Sequence, residues 1–438
     1  MKQFDDLLTM AKMHFDDAEI YYSSSREKGI SLFEGEVDKF EEAQSGGLGF
    51  RGILDGKVGY SYSEKLDPEV FSELINAALS SAEVSEDEEF FFDGQKDYAE
   101  VEPKELVPCE TADVIERMKQ LEKTILAAQG IDKVSMMQYM EIESETLIKN
   151  TLGLSQAGKA GAGIIFALAA ASQDDDVYSG SAVKVFHDFL DVDIDELAKE
   201  VIEDTLSGIG ASSVPSGDYP IFLDKDVFSN FLQAFSSVFN AEMVQKDLSL
   251  LKGKLGDMIA SEKVTLRIDP HHEDAPMSSH FDDEGYPTQA FSLIENGKLH
   301  SYFHNLATAK KDGVESTGSA VRGYKGKVSL APSFLLIEGG EKSEEEILSS
   351  MDKGLYIKEL SAMHSGLNAT SGDFSLPAKG FLIEKGKKVR PVNQIVVAGN
   401  FFSLLKNIQE LSKERSHKSF SSSVPSILIK VLSVAGDQ

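Results

Sequence analysis

The chain has 438 residues, 43 basic against 73 acidic, giving a formal net charge of −30, with 41% hydrophobic and 9% aromatic residues. That length and apolar content predict two or three domains with a sizeable core, while the acid excess works against phosphate backbones and anionic membranes, so neither nucleic acid nor a membrane is expected as a partner. A single cysteine, Cys109, excludes an internal disulfide framework and a Cys-rich zinc site, and together with acids where a signal peptide would be apolar it points to a cytoplasmic protein.

In chain order, Phe4 to Phe15 reads as a helix. Strands follow at Ala18–Ser25, Ile30–Phe33 and Val37–Phe40. The glycine-rich stretch from Gly46 to Tyr62 contains Asp55-Gly56 between alternating apolar residues, a hairpin signal, because glycine accepts the positive φ of a tight turn. It lacks the GxxxxGK[ST] pattern of a phosphate loop, so its glycines are read as places of close sheet packing. Asp67 to Ser81 closes the unit as a helix. Ser85 to Glu110, rich in acids and carrying Pro103 and Pro108, is expected to be a solvated linker. The same order then returns: a helix at Ala112–Gln129, strands at Lys133–Ile142, Thr146–Thr151, Gly161–Ser172 and Tyr178–Val185 with an acidic turn at Asp174 to Asp176, and a helix at Ile194–Leu206. The longest apolar run, Gly161 to Ala171, is too short to span a bilayer. The expectation is an N-terminal α+β domain, residues 1–212, made of two similar halves with antiparallel sheets and helices.

Ser207 to Gly217, with Gly, Ser and Pro215, marks the boundary to a C-terminal domain, residues 213–438. A strand at Tyr219–Leu223 leads into an amphipathic helix, Asp226 to Asn240, with Phe228, Phe231, Leu232, Phe235, Val238 and Phe239 on one face and Asp224 or Asp226 as its N-cap. Beyond Val264, short strands dominate (Val264–Leu266, Ala290–Ile294, Lys298–His304, Ser333–Ile337, Gly380–Ile383, Ile395–Ala398, Ile427–Val434), with helices at Ser343–Lys353 and Phe401–Ile408. This predicts a mostly β, barrel-like domain.

Six of the nine histidines fall between His271 and His364. Their spacing does not make a metal site: His300 and His304, on one strand, would lie about 13 Å apart. The chain has neither HExxH nor the G-x-S-x-G elbow of a serine hydrolase.

Three strings in the C-terminal half read locally as turns. They are Phe281-Asp-Asp-Glu-Gly-Tyr-Pro-Thr288 with Leu293 to Leu299, then Ser316-Thr-Gly-Ser-Ala-Val-Arg322, and then Asn368-Ala-Thr-Ser-Gly-Asp-Phe-Ser375 with Gly380 to Gly386, Pro391-Val392 and Ala398-Gly-Asn400. With Gly47-Leu-Gly-Phe-Arg-Gly-Ile53, Asp55-Gly-Lys-Val-Gly59 and Asn150-Thr-Leu-Gly153, they make nearly the whole chain resemble the TldD/PmbA family, also called modulator of DNA gyrase or TldD/TldE proteases. The resemblance implies a cytosolic bacterial or archaeal peptidase system. In it two homologous subunits pair, and one holds zinc through a HExxxH helix and a further cysteine, with the glutamate as general base on the bound water.

A gapless alignment back from Met258-Ile-Ala-Ser261 places the two histidine positions at Leu232 and Ser237 and the glutamate at Gln233. Leu232 has no lone pair to offer, and Gln233 takes no proton at neutral pH. The chain therefore looks similar to the PmbA/TldE subgroup that lacks the motif. That similarity implies no catalytic residue and no metal here, with zinc expected in a TldD-like HExxxH partner. Asp282, Asp283, Glu284, Arg322, Gly372 and Asp373 are candidates for a chamber-facing or interface surface; the competing reading is that they only fix turns. Two other functions stand beside this one. One is a self-sufficient peptidase around His280, Asp282, His304 and His364. The other is a gyrase modulator without proteolytic activity. A homodimer is the alternative assembly.

Overall fold

The computed structural model describes residues 2–85, 91–174 and 176–437; residues 86–90 of the expected linker and the centre of the expected acidic turn at 175 lie outside them. The N-terminal part is one six-stranded antiparallel sheet. Its first half is a meander of Asp17–Phe33, Glu36–Leu54 and Lys57–Ser63 between helices Lys2–Ala11 and Phe71–Glu83. Its second half repeats this with Lys133–Asn150, Ser155–Gln173 and Asp176–Phe186 between helices Thr111–Leu126 and Ile194–Ser207. The halves join where the first strand of each pairs with the other, Ser25 opposite Ser144. The expected repeat of helix, strands and helix is thus present, with three strands per half where sequence periodicity suggested four. Ala18–Ser25 and Ile30–Phe33 are one strand, as are Lys133–Ile142 and Thr146–Asn150. The polar stretches that read as breaks are strand exposed to solvent on both faces, as at residues 41–45, and such strand carries no apolar alternation.

The C-terminal part holds a ring-like sheet. Strands run in the order Lys387–Asn400, Asp373–Glu384, Lys353–Leu360, Gly217–Leu223, Pro425–Ala435 and Ile408–Arg415. A further pairing of Val397 with Val434 joins the first of these to the fifth and closes five strands into a ring, which bears out the expected curved sheet. Closure hides the exposed edges that an open sheet presents. A second, smaller sheet contains Leu266–Ile268, Phe291–Glu295 and Leu335–Ile337. The expected strand Lys298–His304 is only Lys298–Leu299.

The amphipathic helix packs against the ring, burying Phe228, Phe231, Leu232 and Phe235. Phe235 stacks on Phe401 at 4.5 Å and Phe231 meets Phe374 edge-on at 4.9 Å. Asp224 caps it by accepting from the Asp226 amide. The α-helix spans Lys225–Phe235 and then tightens to a 3-10 turn at Ser236–Phe239, short of the α-helix to Asn240 that the periodicity suggests. Two consecutive serines, Ser236 and Ser237, are poor helix formers, and the tighter turn still delivers Val238 and Phe239 to the core.

Candidate functional site

The positions aligned with a zinc helix diverge. Leu232 is fully buried in the apolar core. The Gln233 amide nitrogen donates to the Ser419 hydroxyl at 2.8 Å and to Ser422 at 3.3 Å. Ser237, on the 3-10 turn, is exposed. No two of these side chains share a space, and only Gln233 carries a polar atom turned inward, already occupied. The donor set does not fit a zinc ion. Among the described residues no group of three or more His, Cys, Asp or Glu side chains is placed to hold a metal.

The histidine alternative fares similarly. A His280 ring nitrogen lies 3.0 Å from the Gln156 side-chain oxygen, His304 is buried with burial pushing its pKa down, and His364 is exposed. No hydrogen bond or ion pair among the described residues joins His280, Asp282, His304 and His364.

Four of the six candidate surface residues lie inside the chain, where its two parts meet. The Glu19 carboxylate accepts from Arg51 at 2.7 Å and from Arg322 at 2.7 Å, and both Glu19 and Arg322 side chains are only 2% exposed. The Arg322 guanidinium lies over the Tyr21 ring, 4.1 Å from its centre. Tyr21 donates through its hydroxyl to Asp283 Oδ1 at 2.7 Å, and the Arg322 amide donates to Asp283 Oδ2 at 2.8 Å. Asp282 accepts from the amides of Glu284 and Tyr286 with one oxygen and of Ala320 with the other. Glu284 accepts from the Leu306 amide at 2.8 Å. These residues therefore form a buried ionic junction and do not present a surface; for Asp282 the turn-fixing alternative describes what is seen. Gly372 and Asp373 sit elsewhere. Gly372 adopts φ +81° in a turn closed by its amide donating to the Asn368 carbonyl, and the exposed Asp373 accepts from the Asn400 amide.

The junction explains the glycine-rich string at its other side. A Cβ on Gly47 would lie 2.4 Å from the Tyr324 ring, and one on Gly49 would lie 2.6 Å from the Tyr324 carbonyl oxygen. These two glycines serve close packing against a segment of the C-terminal part, while Gly52 is packed on the Phe15 ring and Gly59 on the Ala78 carbonyl within the N-terminal part. The stretch read as a solvated linker is also laid down there: Tyr98 donates to the Gly285 carbonyl at 2.6 Å, and the Lys104 amine donates to Ala275 at 2.6 Å. Sequence reasoning did not find Glu19, Tyr21 and Arg51 as partners of Asp283 and Arg322. Arg51 inside a glycine-rich strand was the available signal, since a lone buried guanidinium requires a carboxylate.

Burial pushes Asp283 above the usual carboxyl range, and burial beside Glu284 pushes Asp282 well above it. A carboxyl raised in the folded state adds stability that is full below its unfolded value of about 3.9 and lost as pH rises through the folded value. Asp283→Asn cannot ionise, so its stability relative to the wild type should improve as pH is raised from 4 to 7. Urea midpoints across that range test this, and a gap that stays constant with pH would refute it.

One six-stranded sheet made of two three-stranded halves is thus fixed by buried ionic side chains to a sheet ring. Residues 216–436 match the model for the PmbA/TldA metallopeptidase C-terminal domain, and residues 18–82 match that for PmbA/TldA metallopeptidase domain 1. The chain belongs to the PmbA/TldD family. It is similar to a Thermotoga maritima protein described as a modulator of a DNA gyrase, at 33% identity and TM-score 0.92 over 99% of each chain. It shares its fold with TldE from Thermococcus kodakarensis, at 24% identity and TM-score 0.89 over 99% of this chain and 100% of that one. Metalloprotease PmbA of Escherichia coli O157:H7 is 24% identical over 98% of this chain and 94% of its own length. Among the described residues no helix is long and apolar enough to cross a membrane.

Proposed function

We propose that this chain is the non-catalytic, PmbA/TldE-like subunit of a TldD/TldE-type zinc metalloprotease that degrades or processes peptides in the cytoplasm. The observation that carries this reading is the divergence of Leu232, Gln233 and Ser237. A peptidase family member without ligands or a general base at those positions supplies shape, and the zinc belongs to a TldD-like HExxxH partner. In this reading the chain pairs through its ring-sheet part, and the exposed Asp373 beside Gly372 remains a candidate for the chamber or interface surface.

Co-expression with a HExxxH homologue tests it. The two chains should co-elute on size exclusion as one species that cleaves peptides and loses activity to EDTA, with zinc following the partner chain. Zinc bound stoichiometrically by this chain alone, together with EDTA-sensitive cleavage, would overturn the proposal.

A further inference from the structure

Residues 246–258 follow the short helix Ala241–Gln245 and turn four large apolar side chains to solvent. Leu248 is 48% exposed, Leu250 51%, Leu255 55% and Met258 40%. Exposed apolar side chains gathered on one segment, unlike scattered ones, mark an interaction site.

The segment is firmly held. Leu248 and Leu250 are exposed while the alternating Ser249 and Leu251 are buried. The Ser249 hydroxyl donates to the Val238 carbonyl at 2.6 Å, and the Tyr302 hydroxyl donates to the Leu251 carbonyl at 2.5 Å. Further on, the Gly256 amide donates to the Leu299 carbonyl at 2.8 Å, and the Leu299 amide donates to the Asp257 carbonyl at 3.0 Å. The segment thereby lies along Lys298–Leu299, the edge strand of the smaller sheet. A surface fixed in this way loses little conformational freedom when a partner covers it.

Charge and shape both point to a second copy of the chain as that partner. With a net charge of −30, most of the surface repels another copy. Residues 246–258 differ, setting Lys246, Lys252 and Lys254 against Asp247 and Asp257. Lys246 and Lys252 are paired within the chain, to Glu242 at 2.6 Å and to Asp247 at 2.5 Å. Lys254 and Asp257 flank Leu255, are exposed, and among the described residues make no ion pair. A two-fold axis beside Leu255 would set Lys254 of each copy against Asp257 of the other, which makes the patch its own complement.

The shape agrees. A depression of about 310 Å³, lined by Gly256, Glu295, Asn296, Lys298, Leu299 and His300, adjoins Leu255. A cavity of about 150 Å³ already holds benzene, so a leucine side chain fits. Projecting leucines next to a depression give one surface both the knob and the hole of an isologous contact.

We propose that residues 246–258 form the contact between two copies of this chain related by a two-fold axis, with Leu250 and Leu255 at its centre. This goes beyond the pairing with a TldD-like chain proposed above and does not rest on it.

The test is sedimentation velocity of the purified chain, with no HExxxH homologue present, from low micromolar to about 100 μM. The mass should be twice the 47.8 kDa of the chain. Leu250→Glu with Leu255→Glu should weaken the dimer on the order of a hundredfold, with the circular dichroism spectrum unchanged. A charge exchange is specific to a second copy. Lys254→Asp should weaken association on the order of tenfold, because it sets acid against acid at two symmetric places. Adding Asp257→Lys should restore it, since the exchanged patch is again its own complement. Should the leucine variant fail to fold, the charge exchange still decides. A monomer throughout the range, as expected if another protein or a peptide takes this surface, would overturn the proposal. So would a mass that grows beyond two chains, a dimer indifferent to the glutamates, or a double exchange no tighter than Lys254→Asp alone. Failure to co-elute with a HExxxH chain bears on the earlier reading and leaves this one standing.

Discussion

Arg322→Met should lower the unfolding free energy by about 3–5 kcal/mol, the range found when one member of a buried ion pair is removed. Methionine keeps the length of the stem and removes the charge. Glu19 would then keep Arg51 as its cationic contact at 2.7 Å, and Tyr21 would lose the guanidinium over its ring. Glu19 is 2% exposed, so water cannot replace the lost donor, and the carboxylate keeps only one of the two guanidinium partners that offset its desolvation. The loss should be local as well as global. Hydrogen exchange should quicken at residues 17–23 and 319–324 before the ring sheet is affected. Adding Glu19→Gln should cost less than the sum of the two single variants, because the two residues share one interaction. A urea midpoint within 1 kcal/mol of the wild type, or additive single and double variants, would refute the role given to this junction.

Installing the family's ligand types should not install a metal. The variant carrying Leu232→His, Gln233→Glu and Ser237→His should bind no stoichiometric zinc and should melt at a lower temperature. Five residues along an α-helix advance about 500°, which leaves the two side chains roughly 140° apart. Here the first position points into a core of Phe228, Phe231 and Phe235, and the second faces solvent beyond a 3-10 turn. An imidazole in place of Leu232 loses apolar contact and buries polar nitrogens without partners, together about 3 kcal/mol. Glutamate at 233 removes the amide donor to Ser419. Elemental analysis after dialysis, with a thermal melt, decides the matter. One zinc per chain at unchanged stability would mean that this helix retains a competent site.

Much of the fold was legible because its signals are local. The two α+β halves, the hairpin at Asp55-Gly56 and the capped amphipathic helix at Asp224 all follow from periodicity and turn chemistry within short windows. What failed was strand continuity, because Arg26 to Lys28, Glu41 to Ser45 and Glu143 to Glu145 are predominantly polar and look like loops. The site was legible only in part. Leu232 and Gln233 could be recognised as unsuited to a metal from their side-chain chemistry alone. The destination of Asp283 and Arg322 could not, because Tyr21 lies 262 positions from Asp283 and Glu19 lies 303 from Arg322, and local patterning carries no record of such a pairing. A run of acids and glycines looks the same in sequence whether it faces solvent or seats one part of the chain on another.

Closure of the ring also has a kinetic side. Strand Gly217–Leu223 takes both its neighbours from far downstream: Ile221 stands opposite Leu355 on one side and Ile429 on the other. During synthesis its apolar face and both backbone edges stay unpaired until those later strands emerge. Such long-range pairings must recover their loop-closure entropy late, which makes for slow folding. The ring half should therefore be the last part of the molecule to fold and the one most dependent on protection from association while it waits. The N-terminal meander, whose strands pair chiefly with close sequence neighbours, can form first and offer the surface onto which the junction later docks.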